Sequence, residues 1–359
     1  MTQADPPPPI PSDLRGSPLG KHWVDPAYAV ATLDPARVAP ELADAEVHER
    51  HQIYCELLLA LVVRFWNGNN RGPLGIYPWR EAQVEEPLAS SGLSRYVGDR
   101  NAPTPPDPNR IKWDRYIGHN IACLAVDGRG EIIDFDFNHN SLFRSSVEHA
   151  EARVTRRLFS LSNVFDAWRT GRRLPGKSRA FSLQDVTIYT SLESCAQCSG
   201  IMSLARVKQV VYLQNDPGQY RVGNLMFNLA GSDGRGPLGT LPVPAAILGV
   251  ASMQELNDAY ADFVIAIKAA AQANDSSRAY FCSSKGSPPD FDSSITSFLC
   301  TDSAYNICSR AAQRFFARTA ARETSSDTTR MSNAQCLRHA REFYNYADVE
   351  GFRGTPHTV

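Results

Sequence analysis

The sequence predicts an α/β protein, a three-layer α/β/α sandwich around a mixed central sheet of about five strands, with helical additions. Three observations carry this. The stretch "IGHNIACLAVDGRGEIIDFDFN" (117–138) reads as strand, Asp-Gly turn, strand, which makes an antiparallel pair. After it helix and strand patterns alternate, the order that places helices on both faces of a sheet. Long helical patterns precede and follow this core, over 44–66 and Met253–Ala271.

Taken in order, residues 1–40 are rich in Pro and lack apolar periodicity, so they read as an arm. "DAEVHERHQIYCELLLALVVRFW" (44–66) is strongly helical, with apolar residues at 53, 57, 58, 61, 62 and 65. "NGNNRGPLGIYPW" and "DRNAPTPPDPNR" then mark a Gly- and Pro-rich insertion at about 67–114. In the second strand Ile133, Phe135 and Phe137 are expected on one face and Asp134, Asp136 and Asn138 on the other. "SSVEHAEARVTRRLFSLSNVF" reads as a helix entered through Ser145 or Ser146, followed by a basic loop, "WRTGRRLPGKSR". A strand in "DVTIYTSL", a helix from Cys195 to about Ala205 and a strand in "VKQVVYL" come next. A helix around Gln219–Leu229, the apolar run "PAAILGV" and the helix Met253–Ala271 complete a domain over 41–275. Residues 276–359 are a mainly helical extension, with helices in "SAYNICSRAAQRFFARTAAR" and "SNAQCLRHAREFYNYA" and no role that the sequence assigns.

Composition narrows the class. A net charge of −1 with 43% hydrophobic and 21% charged residues describes a globular chain and favours neither nucleic acid nor membrane. No run approaches the ~18–20 apolar residues of a membrane span, and the first residues do not read as a secretory signal. A soluble, cytoplasmic protein without membrane attachment is expected. Eight scattered cysteines form no dense disulfide framework, which turns attention to the one close pair, Cys195 and Cys198.

Two cysteines three residues apart at a helix start are neighbours on one face, where unpaired backbone amides favour thiolates. They fit a redox pair, a structural zinc site with Cys123 as the nearest further ligand, or a catalytic zinc. A catalytic zinc needs three protein ligands and an open position for water. His149, in "EHAEAR", supplies the third if its helix packs beside the cysteine helix. Glu151, two residues on, does not share a helix face with it. It is instead placed to take a proton from water and pass it to a leaving amine. His-x-Glu followed by Cys-x-x-Cys is the arrangement of zinc deaminases.

The stretch from about Ile117 to Pro217 resembles the cytidine deaminase-like superfamily, nearest the branch of tRNA adenosine, guanine and deoxycytidylate deaminases. "YTSLESCAQCSGIMSLARVKQVVYLQND" is similar to that branch's Thr-Leu-Glu-Pro-Cys-x-x-Cys-Ala-Gly pattern, with Ser194 where the pattern has Pro. The resemblance implies zinc held by His149, Cys195 and Cys198, and Glu151 as the acid/base. It also implies a substrate hydrogen bond from Asn138, or from Asn140 if the loop is read differently, and a homodimer. Ser194 would loosen the turn and remove no chemistry. The Pro-Cys-Gly-x-Cys-Arg pattern of free cytidine deaminases is absent.

The substrate implied is one that contains a nucleobase. Arg153, Arg156, Arg157, Arg169, Arg172, Arg173, Lys177 and Arg179 face a single acid, Asp166, over 153–179. A loop with Arg169, Arg172 and Arg173 over the pocket would attract phosphate, with Phe165 and Trp168 available for stacking. A solvated basic loop is the other reading. The expectation is deamination of a base in nucleic acid, RNA such as tRNA foremost, or of a nucleotide. A small-molecule deaminase and a non-catalytic zinc-binding subunit are the alternatives.

Overall fold

The computed structural model describes residues 34–66, 119–140, 145–161, 182–219, 221–230, 239–272, 294–299, 301–319 and 329–350. Residues 1–33 of the Pro-rich arm, the whole insertion at 67–114 and the whole basic loop, including Arg169, Arg172 and Arg173, lie outside them. The strands are β1 (Ala122–Val126), β2 (Ile132–Phe137), β3 (Thr187–Thr190), β4 (Gln209–Tyr212) and β5 (Leu241–Pro244). They lie in the order β2-β1-β3-β4-β5. β1 runs antiparallel to both β2 and β3, while β3, β4 and β5 are parallel, so the sheet is mixed.

Asp127 makes the β1–β2 turn by accepting from the amides of Arg129 and Glu131 through its carboxylate. Gly130 sits there at φ +98°, and a Cβ would lie 2.9 Å from Cys336 Sγ and 3.1 Å from the Tyr54 hydroxyl. Only glycine combines that backbone with so close an approach. Pairing steps from Ala125↔Asp134 to Val126↔Ile132 and skips Ile133. This bulge corrects the expected alternation. Phe135 and Phe137 pack on one face with Ile132, whereas Ile133 joins Cys123 and Ala125 on the other. One extra residue breaks the period of two.

On one face lies α1 (Ala45–Arg64), capped by the Asp44 carboxylate, which accepts from the Glu46 amide at 2.7 Å. Residues 53–62 of α1 are buried without a break because the helix has neighbours on both sides. Beneath it is the sheet. Above it pack α6 (Asp302–Ala317) and α7 (Asn333–Glu350), and α5 (Ala251–Gln272) packs against α6. Phe315 of α6, Phe343 of α7, Leu57 of α1 and Phe135 of β2 share one apolar cluster. The Arg318 guanidinium grips both oxygens of Glu56 at 2.8 and 3.0 Å.

On the other face are α2 (Ala150–Leu161), α3 (Ala196–Leu204) and α4 (Val222–Ala230). Val154 and Leu158 of α2 meet Cys198 and Met202 of α3 over Ile188 and Val210 of the sheet. The α2 helix starts at Ala150, later than Ser145 or Ser146, and His149 stands just before it. β5 lies just before most of the apolar run, whose residues Ala245–Leu248 form a 3-10 turn instead.

Candidate metal centre

β2 and β3 end at the same edge of the sheet, and the starts of α2 and α3 meet there. Cys195 is the N-cap of α3, with extended backbone (φ −68°, ψ 173°), and Cys198 stands in the first turn. The His149 carbonyl accepts from the Arg153 amide at 3.0 Å, which places the His149 backbone at the entry of α2. His149 Nδ1 lies 3.4 Å from Cys195 Sγ and 3.5 Å from Cys198 Sγ. All three donor atoms are within 4.8 Å of one another.

That spacing can be set against a metal. A tetrahedral zinc with N at about 2.0–2.1 Å and S at about 2.3 Å separates N from S by about 3.5–3.6 Å. The observed separations match it, and one imidazole with two thiols is a donor set for a borderline-soft ion. Cys123 is buried in β1 and is not among the clustered ligands.

Protons in the cluster are already unevenly held. A hydrogen bond from the Cys198 thiol pulls Cys195 down to about 4. The same bond raises Cys198, with burial adding to it. His149 is raised, chiefly by its hydrogen bond to Cys195. A cation bound there would take the thiolate as a ligand and displace the neighbouring thiol's proton, since ligands must be deprotonated.

Glu151 is 4% exposed and faces the cluster. Its Oε2 lies 3.6 Å from Cys198 Sγ, and its Oε1 accepts from Thr190 Oγ1 at 3.2 Å and Ser194 Oγ at 3.3 Å. Burial raises its pKa above the ordinary carboxylate range, in part offset by a backbone hydrogen bond. Ser194 therefore does more than loosen a turn.

Asn138, 1% exposed, accepts from the Asn140 amide through Oδ1 at 3.0 Å, and its own amide donates to the Ile121 carbonyl. Asn140 Oδ1 is buried without a hydrogen-bond partner among the described residues. Arg153 and Arg157, read from sequence as part of a phosphate-attracting run, turn inward to Asp134, Asp136 and Glu148. Arg156 stays largely exposed, near Glu148. Sequence reasoning missed this network and the Thr190 hydroxyl. The signal was there for the first: acids two apart on a strand match arginines four apart on a helix.

This three-layer α/β/α protein gathers an imidazole, two thiols and a buried carboxylate where two helix starts meet, a donor set that could hold a metal ion. Residues 110–214 match the family described as the cytidine and deoxycytidylate deaminase zinc-binding region. A solved structure from work on A-to-I editing by tRNA:A34 deaminases at the wobble position of transfer RNA is similar over 35% of this chain and 82% of that chain. Its identity is 23% and its TM-score 0.25. No curated protein matches the chain.

Proposed function

We propose that this chain is a zinc-dependent hydrolytic deaminase that replaces the amino group of a nucleobase by a carbonyl. The observation that supports it is the convergence of Glu151 with His149, Cys195 and Cys198. His149, Cys195 and Cys198 would hold the zinc. A zinc held there supplies Lewis acidity that makes water a nucleophile near neutral pH. Glu151 takes a proton from the attacking water and delivers it to the departing nitrogen. The amidine carbon gains the water oxygen and loses its nitrogen as ammonia, so each turnover consumes one water. Burial suits Glu151 to this, since a carboxylate raised toward neutrality both accepts and returns a proton.

The substrate in this reading is a base within nucleic acid, RNA such as tRNA foremost, or a nucleotide, so the chain would serve tRNA processing or nucleotide metabolism in the cytoplasm. Its support is the basic sequence that remains, Arg156, Arg169, Arg172, Arg173, Lys177 and Arg179. The inward pairing of Arg153 and Arg157 favours a second reading, deamination of a small nucleobase, nucleoside or nucleotide, because it removes two charges from that run. A non-catalytic subunit would leave the buried Glu151 without a purpose. A homodimer belongs to the same reading.

The experiment is an ammonia-release screen of the zinc-loaded chain over bases, nucleosides, nucleotides, single-stranded DNA and tRNA, with Glu151→Gln beside it. Release from at least one substrate, abolished in the variant, is expected. A wild type that keeps its zinc and releases ammonia from none refutes the reading.

A further inference from the structure

We infer that Ser194 and Thr190 are positioning residues that divide the labour between the two oxygens of Glu151. The inference rests on the deaminase reading above. Both hydroxyls donate to the same atom, Oε1, at 3.3 and 3.2 Å. The other oxygen, Oε2, is the one 3.6 Å from Cys198 Sγ, on the side of the clustered ligands. A carboxylate free to turn about its last torsion would exchange its oxygens, since that torsion is broad and twofold. Two donors arriving on one oxygen from separate points of the chain oppose that exchange.

The donors are themselves anchored. Thr190 ends β3, and its carbonyl accepts from the Leu213 amide at 3.1 Å. Ser194 sits in the turn between β3 and α3, and its carbonyl accepts from Ser199 Oγ at 3.2 Å. Its neighbour Glu193 donates its amide to the Gln214 carbonyl at 2.8 Å. Thr190, Ser194 and Glu151 are all buried, so bulk water does not compete for Oε1. The sequence departure at 194 gains a meaning here. A proline at that position, as in the pattern this stretch resembles, has no hydroxyl to donate. In this chain the proton-carrying oxygen is Oε2, and Oε1 is the fixed point about which it is aimed.

The consequence is kinetic rather than structural. Loss of a hydroxyl leaves the ligand set and the pocket walls in place but lets the carboxylate rotate, so turnover falls while substrate binding does not. The test uses the full zinc-loaded chain in two arms. In the first, crystal structures of the wild type and of T190V/S194A are compared. The double variant is expected to show the Glu151 carboxylate turned or in two orientations, with His149, Cys195, Cys198 and the metal unmoved. A carboxylate that keeps its wild-type orientation overturns the inference. In the second arm, Ser194→Ala is expected to lower kcat about tenfold with KM and zinc content unchanged, the scale of one hydrogen bond to a charged group. Ser194→Thr, which restores a hydroxyl, is expected to recover most of that loss. An unchanged kcat, or a loss that follows zinc content, counts against the inference. If the wild type releases no ammonia from any substrate screened, the deaminase reading fails, and the first arm still decides whether the hydroxyls orient Glu151.

Discussion

Arg153 Nε donates to Asp136 Oδ2 across 2.8 Å, tying the helix that follows His149 to the edge strand of the sheet. Both side chains are buried. Arg157 reaches the same carboxylate and that of Asp134, Arg153 also holds Glu148, and His139 Nδ1 lies 3.3 Å from Asp136 Oδ1. Glu148 and His139 are joined through the backbone as well, the His139 amide donating to the Glu148 carbonyl. One acid on β2 thus sets the approach of the segment that carries His149.

Removing one partner from a buried ion network leaves the others uncompensated, a cost of about 3–5 kcal/mol. Asp136→Ala is expected to lose about 3 kcal/mol, the lower end of that range, because Arg153 and Arg157 each lose one carboxylate but keep Glu148 and Asp134 respectively. Urea denaturation of wild type and variant measures it. A loss under about 1 kcal/mol, the scale of an exposed pair, would show that the arginines relax into water.

Removing ligands has a separate signature. His149→Ala and Cys198→Ala are expected to fall from about one zinc per chain to a small fraction of that, because two remaining ligands do not close the site. Metal analysis after dialysis checks this. Since a ligand that binds only the native state stabilises it, the melting temperature of the wild type is expected to drop on chelation and recover with added zinc.

His51 gives a pH dependence. It is buried in α1, with Nδ1 2.8 Å from the Tyr189 hydroxyl, and burial lowers its pKa to about 3, helped by the charges of Lys208, Arg50 and His48. The unfolded chain takes up a proton at about 6.5 and the native one does not until about 3. The stability this neutral imidazole contributes is therefore complete above about pH 6.5 and is lost as pH falls toward 3, at about 1.4 kcal/mol per pH unit. His51→Gln is expected to flatten the stability profile between pH 4 and 6 by about that slope. Parallel wild-type and variant slopes would count against a buried neutral His51.

The C-terminal helices can be tested through one ring. Phe343 of α7 is buried and meets Phe135 of β2 edge to face, with centroids 5.2 Å apart. Phe343→Ala is expected to cost about 3–5 kcal/mol in a single cooperative unfolding transition. A variant that melts in two transitions, with the sheet's transition unshifted, would mean that α7 folds apart from the core.

The sheet and the convergence of His149, Cys195 and Cys198 were legible because their signals are local. Cys195 and Cys198 announce themselves by spacing, and the alternation of helix and strand from 117 onward prescribes the layers. What the sequence hid depends on partners far along the chain. Ile133 reads as a regular strand residue because a bulge is defined by the strand opposite, not by its own neighbours. Arg153 and Arg157 read as surface charge because their acids lie on another element. Ser194 looks like a lost proline until Glu151 is brought beside it. The helices at 302–317 and 333–350 show their own period but not that α1 is their partner.

That partnership bears on biosynthesis. A ribosome delivers α1 long before α6 and α7, with more than two hundred residues still to be made. At about 5–20 residues per second, the nascent helix waits on the order of tens of seconds with one greasy flank unroofed. During translation the chain must rely on a holding chaperone or on transient non-native cover, and a stall upstream of residue 302 would release an adhesive intermediate.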